Sequence, residues 1–197
     1  MQQLWSPSTP GGAFRQGEVL KGVVELRFNE KGLSAEALTR DDPPAKRVSH
    51  PLTVVLSPDC DLDWDFKARA KRVATGADET LTGLDPKEMG YILLCDLEEA
   101  RSLEKTPRAP SRKAWEFIEA NRDIRFHRIR SVQIEGLPAP VDLYIDFKRV
   151  FGLPPEYLYG LELIRVLTRH GFLMPPHAQH LADRFSYFIG RVGLPDE

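Results

Sequence analysis

In the stretch SPDCDLDWDF, Ser57 to Phe66, four aspartates at positions 59, 61, 63 and 65 surround a cysteine and a tryptophan. Converging carboxylates hold Mg²⁺ in hydrolases, so an Asp-based metal-dependent hydrolase is one reading. A calcium loop is not. With Asp59, Asp61 and Asp63 at its first, third and fifth places, the sixth is Trp64 where glycine is needed, and the twelfth is Ala70 where glutamate is needed. Alternation gives another reading, a half-exposed edge strand with Leu62, Trp64 and Phe66 inward and Asp61, Asp63 and Asp65 outward. Such an acidic row could also serve as a partner-binding edge. Cys60 is a poor nucleophile here, because flanking aspartates disfavour its thiolate.

A second cluster, NRDIRFHRIR, holds Arg122, Arg125, His127, Arg128 and Arg130. Read as a strand, it puts Arg125 and His127 on one face and Phe126, Arg128 and Arg130 on the other. An imidazole moving a 2′-hydroxyl proton beside a guanidinium neutralising a phosphate is a kit for RNA cleavage. Arg125 and His127 are therefore the candidate catalytic pair, with Arg47 and His50 in support. Arg122, Arg125, Arg128 and Arg130 are the candidate nucleic-acid contacts. His177 and His180 are three apart and could pair on a metal, but no third ligand is evident, so no metal or other cofactor is assigned.

The elements that must position these residues read as mainly β. GEVLKGVVELRF, HPLTVVLS, GYILLCDL, IRFHRIRSVQI and VDLYIDFKRVF are strand-like. Residues 29–49 and 67–88 read as polar loops, and both cysteines, Cys60 and Cys95, as reduced core thiols. A helix is expected in PSRKAWEFIEANRD, capped by Ser111 and closed by Asn121. Another is expected in PPHAQHLADRFSYFIGRVGLP, with Leu181, Phe185, Phe188, Ile189 and Val192 as its apolar stripe. Residues 1–14 read as a loose tail, 15–150 as a barrel domain, and 151–197 as a C-terminal helical extension. The fold class is α+β and β-led.

Lys and Arg total 27 against 29 Asp and Glu, which excludes a uniformly basic nucleic-acid binder. Residues 1–100 carry 12 basic and 17 acidic side chains, and the remainder 15 and 12, so any polyanion surface belongs to the second half. The N-terminus lacks the pattern of a signal peptide, and no apolar run could span a bilayer, so a cytoplasmic protein without membrane contact is expected.

The order GEVLKGVVEL, HPLTVVLSPDCD, GYILLCDL, IRFHRIRSV resembles the MazF/PemK/Kid-like toxin superfamily, over about residues 15–150. The chain is also similar to a bacterial subgroup with a DCD-type loop, a D-F-K-R-V-F-like strand and a terminal R-V-G-L-P. The resemblance implies a small SH3-like (MazF-type) β-barrel, here with an inserted helix, and endoribonuclease activity. It also implies a homodimer gripped by an extended antitoxin segment. Toxins of the family place a basic residue before the proline of the second strand, where this chain has Ser49-His50. They end the third strand in threonine, where it has Cys95-Asp96-Leu97. Both changes remove donors to a phosphate transition state, and Asp96 would repel RNA. The expectation is a barrel that binds a partner protein from a neighbouring gene, or RNA, in a toxin–antitoxin, stress-response or phage-defence module. The alternative is a divergent metal-independent endoribonuclease.

Overall fold

The computed structural model describes residues 4–28, 45–76, 85–105, 109–132 and 140–191. Within them the chain runs β1 (Trp5–Ser6), β2 (Glu18–Phe28), β3 (Ala45–Val55), α1 (Asp59–Thr75), β4 (Ile92–Glu99), α2 (Ala100–Glu104), α3 (Arg112–Glu119), β5 (Phe126–Val132), β6 (Val141–Leu153), α4 (Pro155–Leu163), β7 (Thr168–Leu173) and α5 (His177–Gly190). The seven strands pair antiparallel in the order β1-β7-β2-β3-β4-β6-β5, and the sheet curls into a half-barrel. The fold is α+β and β-led, as expected.

Apolar residues on successive positions feed two faces. Val19, Val54, Cys95 and Ile145 join a core closed by Leu181 and Phe185 of α5. Their neighbours Leu20, Val55 and Leu94 join a second core with Leu62 of α1 and Leu158 and Leu161 of α4. A smaller cluster packs Leu103 of α2 and Ile118 of α3 onto Phe126 and Tyr144. Strand alternation thus produces helix layers on both sides of one sheet.

Several expectations are corrected. The Asp-rich stretch is the first half of helix α1, not an edge strand, and α1 continues to Thr75 through residues expected as loop. Asp59 and Asp61 occupy its first turn, Arg72 its last, and Gly76 closes it in the left-handed conformation, all favourable termini for a helix. Asp63–Lys67 and Asp65–Arg69 pairs one turn apart add to this. Consequently Trp64, expected in the core, is 52% exposed, and Cys60 is an exposed thiol. β3 begins at Ala45, inside the expected loop. Residues 29–44 and 77–84, and Val192 of the apolar stripe, lie outside the described residues. Ile189 of that stripe is exposed.

Residues 4–14 are docked: β1 pairs with β7, and Phe14 is fully buried. The stretch from 151 supplies β7 to the sheet as well as two helices. Strand β2 passes under the α4–β7 turn at Gly22, whose φ is +83°, and an added Cβ would stand 2.3 Å from the Val166 carbonyl oxygen. Gly22→Ala should therefore destabilise by about 2–4 kcal/mol, from left-handed strain plus backbone collision. Urea midpoints check this; a midpoint within error of wild type would refute the account.

Candidate functional site

Strands β3 and β4 share a ladder only at Thr53–Val55, opposite Leu94–Asp96. Beyond it they part. At the same level the pairing of β4 with β6 jumps from Cys95↔Val150 to Leu97↔Ile145, so residues 146–149 bulge opposite Asp96. A cleft of about 700 Å³ opens there, between Val48–Leu52 of β3 and Asp96–Glu99 of β4, with Lys148 and Arg149 at its border.

His50 is the pivot of this cleft. It is 3% exposed, and its ring stacks on Phe151 with centroids 4.2 Å apart. Its Nδ1 lies 2.6 Å from Asp96 Oδ1, and its Nε2 lies 3.0 Å from Glu25 Oε2. Two ionised carboxylates make both ring nitrogens donors, which is the imidazolium state. Burial opposes that charge, but the hydrogen bonds and charge of Asp96, then of Glu25, outweigh it and raise the His50 pKa. Glu25 is pulled the other way: burial raises its pKa, and Arg27 and His50 together bring it below the usual value. Arg27 sits 2.7 Å from Glu25 Oε2. Arg149 donates to Asp96 at 2.7 Å and also pairs with Glu98. Four strands thus meet in one alternating charge network, Arg27–Glu25–His50–Asp96–Arg149–Glu98.

The residues anticipated for catalysis are separated. Arg125 precedes β5, so strand alternation does not govern it. Its guanidinium holds Asp146 at 2.7 and 2.5 Å and lies 4.6 Å from the Phe126 ring centre. His127 packs instead against Phe147 and edge-on to His180, with centroids 6.3 and 5.3 Å away. Burial first, then the charges of Arg184 and His180, lower its pKa to about 3. Arg47 is exposed, opposite Leu26, and outside the cleft lining. Arg128 is tied to Asp142 and to the Glu119 carbonyl, while Arg122 and Arg130 are exposed.

The aspartates do not converge either. Asp59 accepts from Arg15 and from the Gln16 amide, Asp63 from Lys67, and the buried Asp65 from Arg69 and the Met89 amide. Among the described residues, Asp61 receives the Cys60 thiol alone, at 3.5 Å. A helix turns alternate residues by about 200°, which sends each carboxylate to a different neighbour. Among the described residues, no three His, Cys, Asp or Glu side chains are placed to hold a metal ion. Compared with family models, curated proteins and solved structures, the chain finds no match in any of the three. No helix among the described residues is long and apolar enough to cross a membrane.

Sequence reasoning reached His50 but missed Glu25, Arg27, Asp96, Lys148 and Arg149 as its company. One signal was present: Asp96 interrupts the otherwise apolar ILLCDL strand, and a half-buried carboxylate there calls for a cationic partner.

Proposed function

We propose that this chain acts by binding, and that an extended segment of a partner protein enters the cleft between β3 and β4. The observation that carries this reading is the short β3–β4 ladder, which leaves Ala45–Leu52 of β3 without a strand neighbour on that side among the described residues. An unpaired edge offers main-chain hydrogen bonds to an incoming strand. Val48, Leu52, Leu97 and Val150 line the cleft for apolar side chains, and Arg27, Lys148, Arg149 and Glu99 for charged ones. Kinship with SH3-like, MazF-type barrels is supported by the curled antiparallel sheet and by the order of the β2–β5 motifs. It suggests a partner encoded next door, in a toxin–antitoxin, stress-response or phage-defence pair, and a cytoplasmic setting.

A photo-crosslinking amino acid at Ser49, exposed at the cleft, tests this in the native cell against the same group at Trp64 on α1. A discrete crosslinked protein is expected from position 49 alone, and Arg149→Glu should abolish it. Equal products from both positions would refute the cleft as the binding surface.

A metal-independent endoribonuclease is the second reading, and the specific support for it is His50 beside Glu25 with Arg27 and Arg149 nearby. Both His50 nitrogens are engaged, which leaves it no free position for proton transfer and favours binding. Incubation with mixed RNA, with Mg²⁺ or with chelator, should show no cleavage. Metal-independent cleavage lost in His50→Ala would establish the second reading instead.

A further inference from the structure

Away from that cleft, a separate cavity of about 670 Å³ lies between β5 and the first turn of α5, closed on its apolar side by Leu4 and Leu173. Its polar lining is Asn121, His127, Arg128, Arg130, His177 and His180, with five basic side chains and no carboxylate. Arg128 is answered by Asp142 outside the lining. Just beyond the lining, Arg184 donates to the carbonyls of Asn121, Asp123 and Phe126 and adds a further cation, opposed in part by the Asp123 carboxylate. His127 is 4% exposed and its Nδ1 has no hydrogen-bond partner. Buried polar atoms are nearly always satisfied, so a nitrogen of this kind beside a cavity calls for a partner within it. The fourteen-residue helix α5 directs its positive end to the same place.

We infer that this cavity binds a phosphate group carried on a small organic molecule, held by His127, His177, His180 and Arg130. A tetrahedral dianion offers several acceptor oxygens to donors arriving from a strand and a helix, and it supplies the negative charge that the lining lacks. The cavity is far larger than a phosphate alone and falls within the range of small-molecule sites, which leaves room for the rest of a phosphate monoester. A transition metal fits less well, since the surroundings are cationic and the three imidazoles are not gathered on one point. The site shares no residue with the β3–β4 cleft.

The test is a titration of the full chain at constant ionic strength, read from the histidine ring resonances by NMR. The probes are adenosine 5′-monophosphate, inorganic phosphate and adenosine. Saturable shifts of the His127, His177 and His180 signals are expected with the monophosphate, weaker ones with inorganic phosphate, and none with adenosine. Arg130→Gln and His180→Gln are surface changes that should preserve the fold and weaken binding about tenfold each, the loss of one charge-assisted contact. Equal binding of phosphate and monophosphate would overturn the organic part of the ligand. Absence of saturation by either phosphate, or full affinity in both variants, would overturn the site. None of these outcomes bears on crosslinking from Ser49.

Discussion

Arg169→Ala is expected to cost about 3–5 kcal/mol of stability, because it strands a buried carboxylate. The side chain of Arg169 on β7 is 2% exposed and that of Glu18 on β2 is fully buried. The guanidinium donates to both oxygens of Glu18, at 2.7 and 2.8 Å, and to the carbonyls of Gly12 and Ala13 at 2.9 and 2.7 Å. It also lies over the Phe14 ring, 4.6 Å from its centre. One side chain therefore fastens the N-terminal segment, β2 and β7 together. After truncation Glu18 keeps, among the described residues, the Arg15 amide alone as a hydrogen-bond donor to its carboxylate. The companion double variant, Glu18→Leu with Arg169→Met, removes both charges and should recover much of the loss, since apolar replacements of buried pairs are often neutral or better. Urea denaturation measures both. A single variant within about 1 kcal/mol of wild type, or a double variant no better than the single, would show that the pair is not the clamp described.

Two histidines should shape the pH dependence of stability in opposite directions. His127 has a folded pKa of about 3 against roughly 6.5 when unfolded. As pH falls below about 6.5 the unfolded chain takes a proton that the folded chain refuses. Stability then drops by about 1.4 kcal/mol per pH unit towards pH 3, several kcal/mol in all. His127→Leu should flatten that acid limb by about one proton's worth of slope. For His50 the folded pKa is raised, so its contribution is complete below about 6.5 and fades as pH climbs through the folded value. Glu25, with its folded pKa lowered, adds stability above the usual carboxylate range that is lost in acid. His50→Gln should therefore remove a decline on the alkaline side and leave the His127 limb in place. Urea midpoints from pH 4 to 9 for the three proteins separate these effects. An unchanged acid slope in His127→Leu would mean that another group controls it.

Local pattern carried much of the architecture. The apolar alternation of GEVLKGVVEL and VDLYIDFKRVF identifies β2 and β6, and Ser111, whose hydroxyl accepts from the Ala114 amide, starts α3 as its type suggests. The exception is informative. SPDCDLDWDF satisfies a period of two in its aspartates, while a helical period runs from Leu62 and Asp65 on to Arg69, and the acidic first turn and the pairs one turn apart are too weak alone to choose between them. The choice is made outside the segment, where Asp65 meets the Met89 amide and Asp59 meets Gln16. Asn121 was anticipated as a helix stop and does adopt a positive φ of 53°. Its side chain has a second use invisible in sequence, exchanging hydrogen bonds with both backbone groups of Arg128 on the edge strand β5.

By itself, then, the sequence determined a β-led α+β chain, the positions of most strands, and the Ser111 cap of α3, because propensity, alternation and capping act over a few residues. Only the tertiary structure decided which ionisable groups meet. His50 finds Glu25 at a separation of 25 residues and Asp96 at 46, and Arg149 finds Asp96 at 53. Those meetings depend on strand register and on the bulge at residues 146–149, and a bulge is a compromise among neighbouring strands that leaves little local signature. The same dependence parted Arg125 from His127, two residues apart in the chain, and set one on Asp146 and the other beside His180.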